Sequence, residues 1–319
     1  MSENIKGDDR VMNLPKIALG AWAWGNDGTF GVNYTMEELK EVFDEGIKNE
    51  LNLWDTAFVY GMGQSEKVLG EFIKNYDRKD LIISDKFTPQ CDDGTPETMN
   101  NMLNNSMKIL GTDYIDIYWI HNPMDVEKYT PMLVPLYKSG KIKSIGVSNH
   151  NLAELKRAGK ILDKDGIKIS AVQNHYSLLN RSSETSGLLD YCKENGITFF
   201  AYMILEQGAL TGNFDTNHTF PEGSDRARSY NNKLDKLEEL NKALDEVAKK
   251  HNTKIPVIAT AWAINKGTLP IIGVTKAKHV LDAKEASNIL LTDDEIKYLE
   301  ETADKLEIST IRMWEKEMK

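Results

Sequence analysis

From Lys16 onward the chain alternates short β-branched or apolar runs with longer amphipathic stretches, which is the rhythm of a parallel sheet covered by helices. The apolar runs begin near Ile17, Leu51, Leu81, Ile115, Ile142, Ile169, Thr198 and Leu269, so eight strands are expected. Between them, Thr35 to Asn49, Thr95 to Leu110, Asn151 to Leu162, Gly187 to Asn195 and Leu234 to Lys250 carry apolar residues about 3.6 positions apart and predict helices. Eight such units predict an α/β fold, a single closed (β/α)8 TIM barrel over residues 1–319. Some segments depart from the repeat. The stretch before Ile17 predicts a short hairpin plugging the bottom of the barrel. Leu205 to Lys233 is long, polar and rich in Gly, Asn and Asp, and a structureless loop of that length is usually functional or disordered. Extra helices are expected near the C-terminus: Ile255 to Asn265 reads as a buried helix starting at Pro256, and the tail from Leu306 to Lys319 ends in an amphipathic stretch carrying Trp314.

Length alone does not decide the domain count, since 319 residues fit one large barrel or two average domains. The pattern does, because no stretch has the composition of a linker or a low-complexity tract. Hydrophobic residues at 40% and charged residues at 28% suit a compact globular chain with a large core. A formal charge of −10 repels phosphate backbones and anionic lipid surfaces, which argues against nucleic-acid and membrane partners. The polar start MSENIKGDDR and a longest mainly apolar stretch of only Ile255 to Ile264 predict a cytoplasmic protein. Cys91 and Cys192 lie far apart without Cys or His at metal-ligand spacing, so two reduced thiols, Cys192 packed under a helix, and no metal are expected.

Active sites of such barrels form at the C-terminal ends of the strands. Strand two ends LNLWD at Asp55, strand three runs LIISDK to Lys86, strand four ends IYWIH at His121, and Tyr60 follows Asp55 by five residues. Taken singly each has an ordinary explanation: a loop cap, a solvated ammonium, a satisfied imidazole, a packed ring. Together they give a phenol, a cation beside it and that cation's counter-ion, the arrangement needed to donate a proton near neutral pH. Hydride transfer to a carbonyl builds negative charge on oxygen, which must be neutralised in the transition state. Lys86 is expected to depress the pKa of the Tyr60 phenol, Asp55 to hold the ammonium, and His121 to hydrogen-bond and orient the carbonyl oxygen. The glycines of GMGQSE from Gly61 lack the third glycine and the preceding strand of a dinucleotide fingerprint, and are expected to shape the loop presenting Tyr60.

These residues lie in segments that resemble the aldo-keto reductase family, over about Leu14 to Ala286. LWDTAFVYGMGQSEKVLGEFIK and MKILGTDYIDIYWIHNP look like its two signatures, and GVSN, VQNHYSLLNR and AYMILEQGALTG resemble its cofactor-binding strand ends. The resemblance implies a catalytic tetrad at Asp55, Tyr60, Lys86 and His121 and a nicotinamide cofactor, NADPH/NADP+ with NADH possible, extended across the barrel mouth without a Rossmann fold. It places the carboxamide against Ser148, Asn149 and Gln173, stacks the ring on Tyr202, and assigns Leu205, Gly273, Thr275 and Lys276 to the rest of the cofactor. The bottom-up reading agrees for the nicotinamide end, since uncharged donors and an aromatic face at strand ends suit a flat heterocycle. The match departs at Met203, where family members often carry a Ser on the pyrophosphate, and at His279, where an Arg often meets the 2′-phosphate. Lys276 and Lys278 offer ammonium groups for that phosphate, and Arg226 and Arg228 could fold over the cofactor. Trp22, Phe58 and Asn122 take positions that line the family's substrate pocket, with Trp24 nearby. Asn122 stands where many relatives have Trp, a smaller and more polar wall suited to a hydroxylated carbonyl compound.

The expected function is NAD(P)H-dependent interconversion of an aldehyde or ketone and its alcohol, by a monomer or small homo-oligomer acting on a small molecule. A second reading is a regulatory or scaffold subunit that binds cofactor with little turnover. A third, a barrel isomerase using His121 as base, has no need of the nicotinamide set.

Overall fold

The computed structural model describes residues 14–312 and 315–318. The expected hairpin falls largely on residues 1–13, and Trp314 on the pair 313–314, so both lie outside the described residues. The described residues carry eight strands, β1 (Ala18–Gly20), β2 (Leu53–Asp55), β3 (Ile82–Phe87), β4 (Ile115–Ile120), β5 (Ile142–Ser148), β6 (Ala171–His175), β7 (Thr198–Tyr202) and β8 (Leu269–Gly273). They pair in parallel and in sequence order, and β8 returns to β1 through Leu19 opposite Ile272, which closes the barrel.

Strand alternation sorts the side chains into two cores. Ala18, Leu53, Ile82, Ile117, Trp119, Ala171, Phe200 and Leu269 fill the barrel interior, while a larger set, including Leu19, Trp54, Ile83, Tyr118 and Ile145, packs between strands and helices. Trp119 fills so much of the interior that its strand-pair neighbour on β5 must be glycine. A Cβ on Gly146 would lie 2.1 Å from the Trp119 ring. The helix Met36–Lys48 begins with a capping box, in which Thr35 accepts from the Glu38 amide and the Glu38 carboxylate accepts from the Thr35 amide. Leu152–Leu162 begins the same way with Asn151 and Glu154. Ile255–Asn265 is apolar on all sides and buried, as expected of a helix between layers.

The stretch Leu205 to Lys233 is folded. A turn of 3-10 helix covers Glu206–Thr211, a short helix covers Asp225–Tyr230, and Phe214 stacks on buried Phe220 with centroids 3.8 Å apart. Its few apolar residues include three aromatic rings that meet one another, Phe214, Phe220 and Tyr230, with Ala209 and Leu210 also buried. Cys192 is buried in the helix Leu188–Glu194, as expected, and Cys91 is half-buried.

Candidate active site

The acidic and basic groups singled out at the strand ends converge on the C-terminal rim of β2, β3 and β4. Side chains on β3 alternate, so Ile82, Ser84 and Lys86 face the interior while Ile83, Asp85 and Phe87 face the helices. Lys86 is fully buried, and its Nζ lies 2.6 Å from Asp55 Oδ1 and 2.7 Å from the Thr56 carbonyl oxygen. Two of three ammonium protons are thus committed. The third is left for Tyr60, whose ring centroid is 4.9 Å from the same nitrogen.

Asp55 is held from three sides. Besides Lys86 it accepts from Ser84 Oγ at 2.7 Å and from Gln173 Nε2 at 3.1 Å, and the Trp119 indole donates to the Ser84 hydroxyl at 2.6 Å. A buried carboxylate is stable only when its lone pairs are satisfied in this way. Ser84 and Trp119 were missed by the sequence reading. The signal was available: counting back by two from Lys86 along β3 lands on Ser84.

Burial opposes a charged Lys86, but the adjacent Asp55 carboxylate and Tyr60 oxygen outweigh it and hold the ammonium pKa above its ordinary value. The phenol departs from expectation. Burial raises the Tyr60 pKa, Lys86 pulls it down, Asp55 pushes it up again, and the net direction is upward. The counter-ion that fixes the ammonium also cancels much of its effect on the phenol. At neutral pH the group is therefore a protonated acid.

Tyr60 is positioned by backbone. A Cβ on Gly25 would lie 2.6 Å from the Tyr60 carbonyl carbon, and one on Gly61, at φ 67°, would lie 2.2 Å from the Gly25 oxygen. Ser65 ties the same loop down, its amide donating to the Tyr60 carbonyl at 3.1 Å and its hydroxyl to the Ala21 carbonyl at 2.7 Å. The GMGQSE glycines thus act as expected. Trp22 stacks on Tyr60 with centroids 5.6 Å apart, and the His121 ring stands edge-on at 6.0 Å.

His121 follows β4, with its backbone amide donating to the Phe87 carbonyl at 2.8 Å and its ring Nδ1 3.0 Å from Thr88 Oγ1. Burial, with a smaller contribution from Lys86, pushes its pKa down to about 3, so the imidazole is neutral. Phe58 is half-buried, and the Asn122 amide donates to Gln90 Oε1 at 2.8 Å. Trp24 is a core residue, fully buried, with its indole on the Val274 carbonyl at 2.7 Å.

The expected nicotinamide contacts gather on the next three strand ends. Ser148 Oγ donates to the Gln173 carbonyl at 2.8 Å, Asn149 donates to the His121 carbonyl at 2.9 Å, and the Tyr202 hydroxyl donates to Asn149 Oδ1 at 2.6 Å. The Tyr202 ring is half-exposed at the end of β7, and Leu205 is half-buried beyond it. Met203, Glu206 and Gln207 follow at φ 64°, 46° and 53°, a run of left-handed backbone that bends the loop sharply. At the end of β8 Gly273 is exposed, and beyond it Thr275 is half-buried and Lys276 exposed. His279 accepts from the Thr275 amide at 3.2 Å, and burial pushes it down to about 4, so it is an uncharged loop brace where a cation was sought. Arg226 bonds the Phe30 and Gln207 carbonyls, while Arg228 pairs with Asp225 at the surface.

A second cluster, invisible in the sequence reading, closes the rim at β6 and β7. His175 sits between two carboxylates, Glu206 at 2.8 Å and Glu315 at 3.0 Å. Glu206 also accepts from the hydroxyls of Ser177, Thr310 and Tyr230. Arg312 reaches Ser229, Gln207 and Tyr230, and Lys316 binds Glu154 at 2.5 Å. Burial would lower the His175 pKa, but the two carboxylates hold it up at about 10, so it is an imidazolium. Among the described residues no group of three or more His, Cys, Asp or Glu side chains could hold a metal ion, and no helix is long and apolar enough to cross a membrane.

With this geometry established, comparison with known proteins is specific. The model of the aldo/keto reductase family matches residues 16–304. The chain is 31% identical to the chloroplastic pyridoxal reductase of Arabidopsis thaliana, covering 94% of this chain and 86% of that protein. It is 27% identical to an NADH-specific methylglyoxal reductase of Escherichia coli, covering 93% of this chain and 97% of that protein. A thermostable aldo-keto reductase crystallised with the inhibitor epalrestat superposes with a TM-score of 0.73 at 28% identity, covering 91% of this chain and 95% of that one. The chain belongs to the aldo/keto reductase family, and the reaction this membership supports is NAD(P)H-dependent reduction of an aldehyde or ketone to an alcohol.

Proposed function

We propose that the chain is an NADP(H)-preferring carbonyl reductase in which Tyr60 delivers the proton and Lys86, Asp55 and His121 prepare the transfer. The observation that carries this reading is the fully buried Lys86 ammonium, with two protons fixed on Asp55 and Thr56 and its third face turned to Tyr60. When bound, a dihydronicotinamide supplies the hydride that reaches the carbonyl carbon. As negative charge grows on the carbonyl oxygen, the Tyr60 hydroxyl gives up its proton to that oxygen, and the resulting phenolate is stabilised by Lys86. His121, uncharged, holds the carbonyl oxygen by a hydrogen bond. Trp22 packs on Tyr60 and, with Phe58 and Asn122, forms the wall that a small carbonyl substrate meets.

The chain's own groups fit a dinucleotide. Tyr202 offers a ring face between the amides of Asn149 and Gln173 and the loop after β7. On that loop the side-chain N–H groups Gln207 Nε2 and Arg226 Nε are buried without a hydrogen-bond partner among the described residues, donors of the kind a pyrophosphate accepts from. Thr275 and the exposed Lys276 lie after β8, where a ribose phosphate would be met by a hydroxyl and an ammonium. The preference for NADP(H) rests on Lys276 and Lys278 alone, since His279 is neutral. The barrel acts as a single domain, monomeric or in a small homo-oligomer.

The test is turnover. Purified protein with NADPH and a panel of small aldehydes, ketones and hydroxylated carbonyl compounds is expected to oxidise the nucleotide at a rate proportional to enzyme. Binding of nucleotide with no turnover across the panel would make the chain a cofactor-binding scaffold, and absence of binding at millimolar NADPH and NADH would overturn both readings.

A further inference from the structure

His121 carries one ring proton, and which nitrogen holds it decides whether the ring can serve as a donor to a carbonyl oxygen. Its Nδ1 lies 3.0 Å from Thr88 Oγ1. Thr88 is buried, two residues beyond Lys86 and just past the end of β3, and Nδ1 is the hydrogen-bond partner found for its hydroxyl among the described residues. A buried hydroxyl proton without an acceptor costs about 1–3 kcal/mol. A proton on Nδ1 would leave the Thr88 hydroxyl in that state, and would leave Nε2 a bare lone pair where a carbonyl oxygen needs a donor. A proton on Nε2 satisfies both ends: the Thr88 hydroxyl donates to Nδ1, and the ring, whose centroid is 6.0 Å from that of Tyr60, keeps an N–H to offer a carbonyl oxygen.

The rest of the ring's environment is consistent with a fixed orientation. The His121 amide and carbonyl are both held, by Phe87 and by Asn149, so the ring turns only about its side-chain torsions. Asp55 accepts from Lys86, Ser84 and Gln173, and among the described residues no carboxylate pairs with His121. The alignment of the imidazole therefore falls to a neutral hydroxyl.

We infer that Thr88 is a positioning residue that fixes His121 as its Nε2–H tautomer, by donating its hydroxyl proton to Nδ1. This rests on the reading of the site as a carbonyl reductase, but its first consequence is a property of the resting protein. Nitrogen-15 NMR of histidine-labelled protein, with the His121 signals assigned by their loss in His121→Gln, should show Nδ1 unprotonated and Nε2 protonated in the wild type and in Thr88→Ser. In Thr88→Val, which keeps the shape and loses the hydroxyl, the Nδ1–H form should appear. In turnover, Thr88→Val should lower kcat by roughly tenfold to a hundredfold, the range expected when a buried hydrogen bond is lost. NADPH affinity should be unchanged, and Thr88→Ser should restore kcat to within a few-fold of wild type. Wild type with the proton on Nδ1, or Thr88→Val with an unchanged tautomer and kcat within twofold of wild type, would overturn the inference. If Thr88→Val does not fold, the wild-type tautomer and the Thr88→Ser comparison still decide it. If no carbonyl compound is reduced by the wild type, the proposed function falls, while the tautomer measurement continues to test Thr88 on its own.

Discussion

Two buried ionic clusters sit on the same rim of this barrel and differ in one respect. At β6 and β7, Glu206 and Glu315 enclose His175, and the Glu206 carboxylate is also engaged by three hydroxyls. At β2 to β4, the Lys86–Asp55 pair is just as buried, yet one ammonium proton is left for Tyr60 and the His121 ring stands 6.0 Å from the same phenol ring. Saturation of the His175 and Glu206 side chains suits a joint that holds Thr310 and Glu315 against the barrel, although Arg312 Nε and Gln207 Nε2 beside them have no hydrogen-bond partner among the described residues. Incomplete satisfaction, directed at one place, suits chemistry. Burial and charge by themselves do not distinguish a structural cluster from a reactive one; the direction of the unused hydrogen-bonding groups does.

The comparison breaks first at Tyr60. Tyr60→Phe should reduce carbonyl turnover by roughly a hundredfold to ten-thousandfold, the usual effect of removing a positioned acid, while fluorescence titration shows nucleotide still bound. Turnover near wild type would move the acid elsewhere. Lys86→Met should abolish turnover too, and because it strands Asp55 in the core it should also lower unfolding free energy by about 3–5 kcal/mol in urea titrations. On the saturated side, Glu315→Gln should destabilise by about 1–3 kcal/mol and leave turnover of a small aldehyde within a few-fold of wild type. A large loss of kcat with little loss of stability would reverse the roles of the two clusters.

The sign of the pH dependence sharpens the same contrast. His175 is held at about 10 against an ordinary 6.5, so its contribution to stability is full below about pH 6.5 and is lost as pH rises through about 10. Glu66, buried against Asp85 behind Lys86, is pushed up to about 9 from 4.5 by burial and by the neighbouring carboxylate. It works in the same sense, with full effect below about pH 4.5 and loss as pH rises through about 9. Urea titrations should therefore show stability falling from pH 6.5 to 10, with a shallower slope in Glu66→Gln. The smallest effect belongs to the exposed phosphate end. Lys276→Ala should weaken NADPH binding by about tenfold and leave NADH unchanged, since a solvated ammonium contributes only about 1 kcal/mol or slightly more to an anion.

The barrel was legible because its strands are short apolar runs, and each group proposed for catalysis stands at or shortly past a strand end. Asp55, Lys86 and His121 could be read from position alone. Ser84 and Thr88 were not singled out, although alternation along β3 places Ser84 on the same side as Lys86 and Thr88 lies just past that strand's end. The β6–β7 cluster had no local signature, since His175 and Glu315 are 140 positions apart and meet only because the chain returns over the rim. The direction of the Tyr60 shift was misjudged for a related reason. A cation's pull can be read from its presence, but the opposing burial and the nearby Asp55 carboxylate depend on how tightly the loop closes.

The contact between Gly25 and Gly61 has a wider meaning for this molecule. It makes the address of the proposed proton donor a property of two main chains pressed together, with no room for the adjustable side chains through which most loops drift. Replacement of either glycine by alanine therefore acts as a wedge, prying the first crossover away from the second and carrying the acid off its mark, though neither residue would touch anything that reacts. Such positions would register in any activity-based mutational scan as essential, and their importance would be one of clearance.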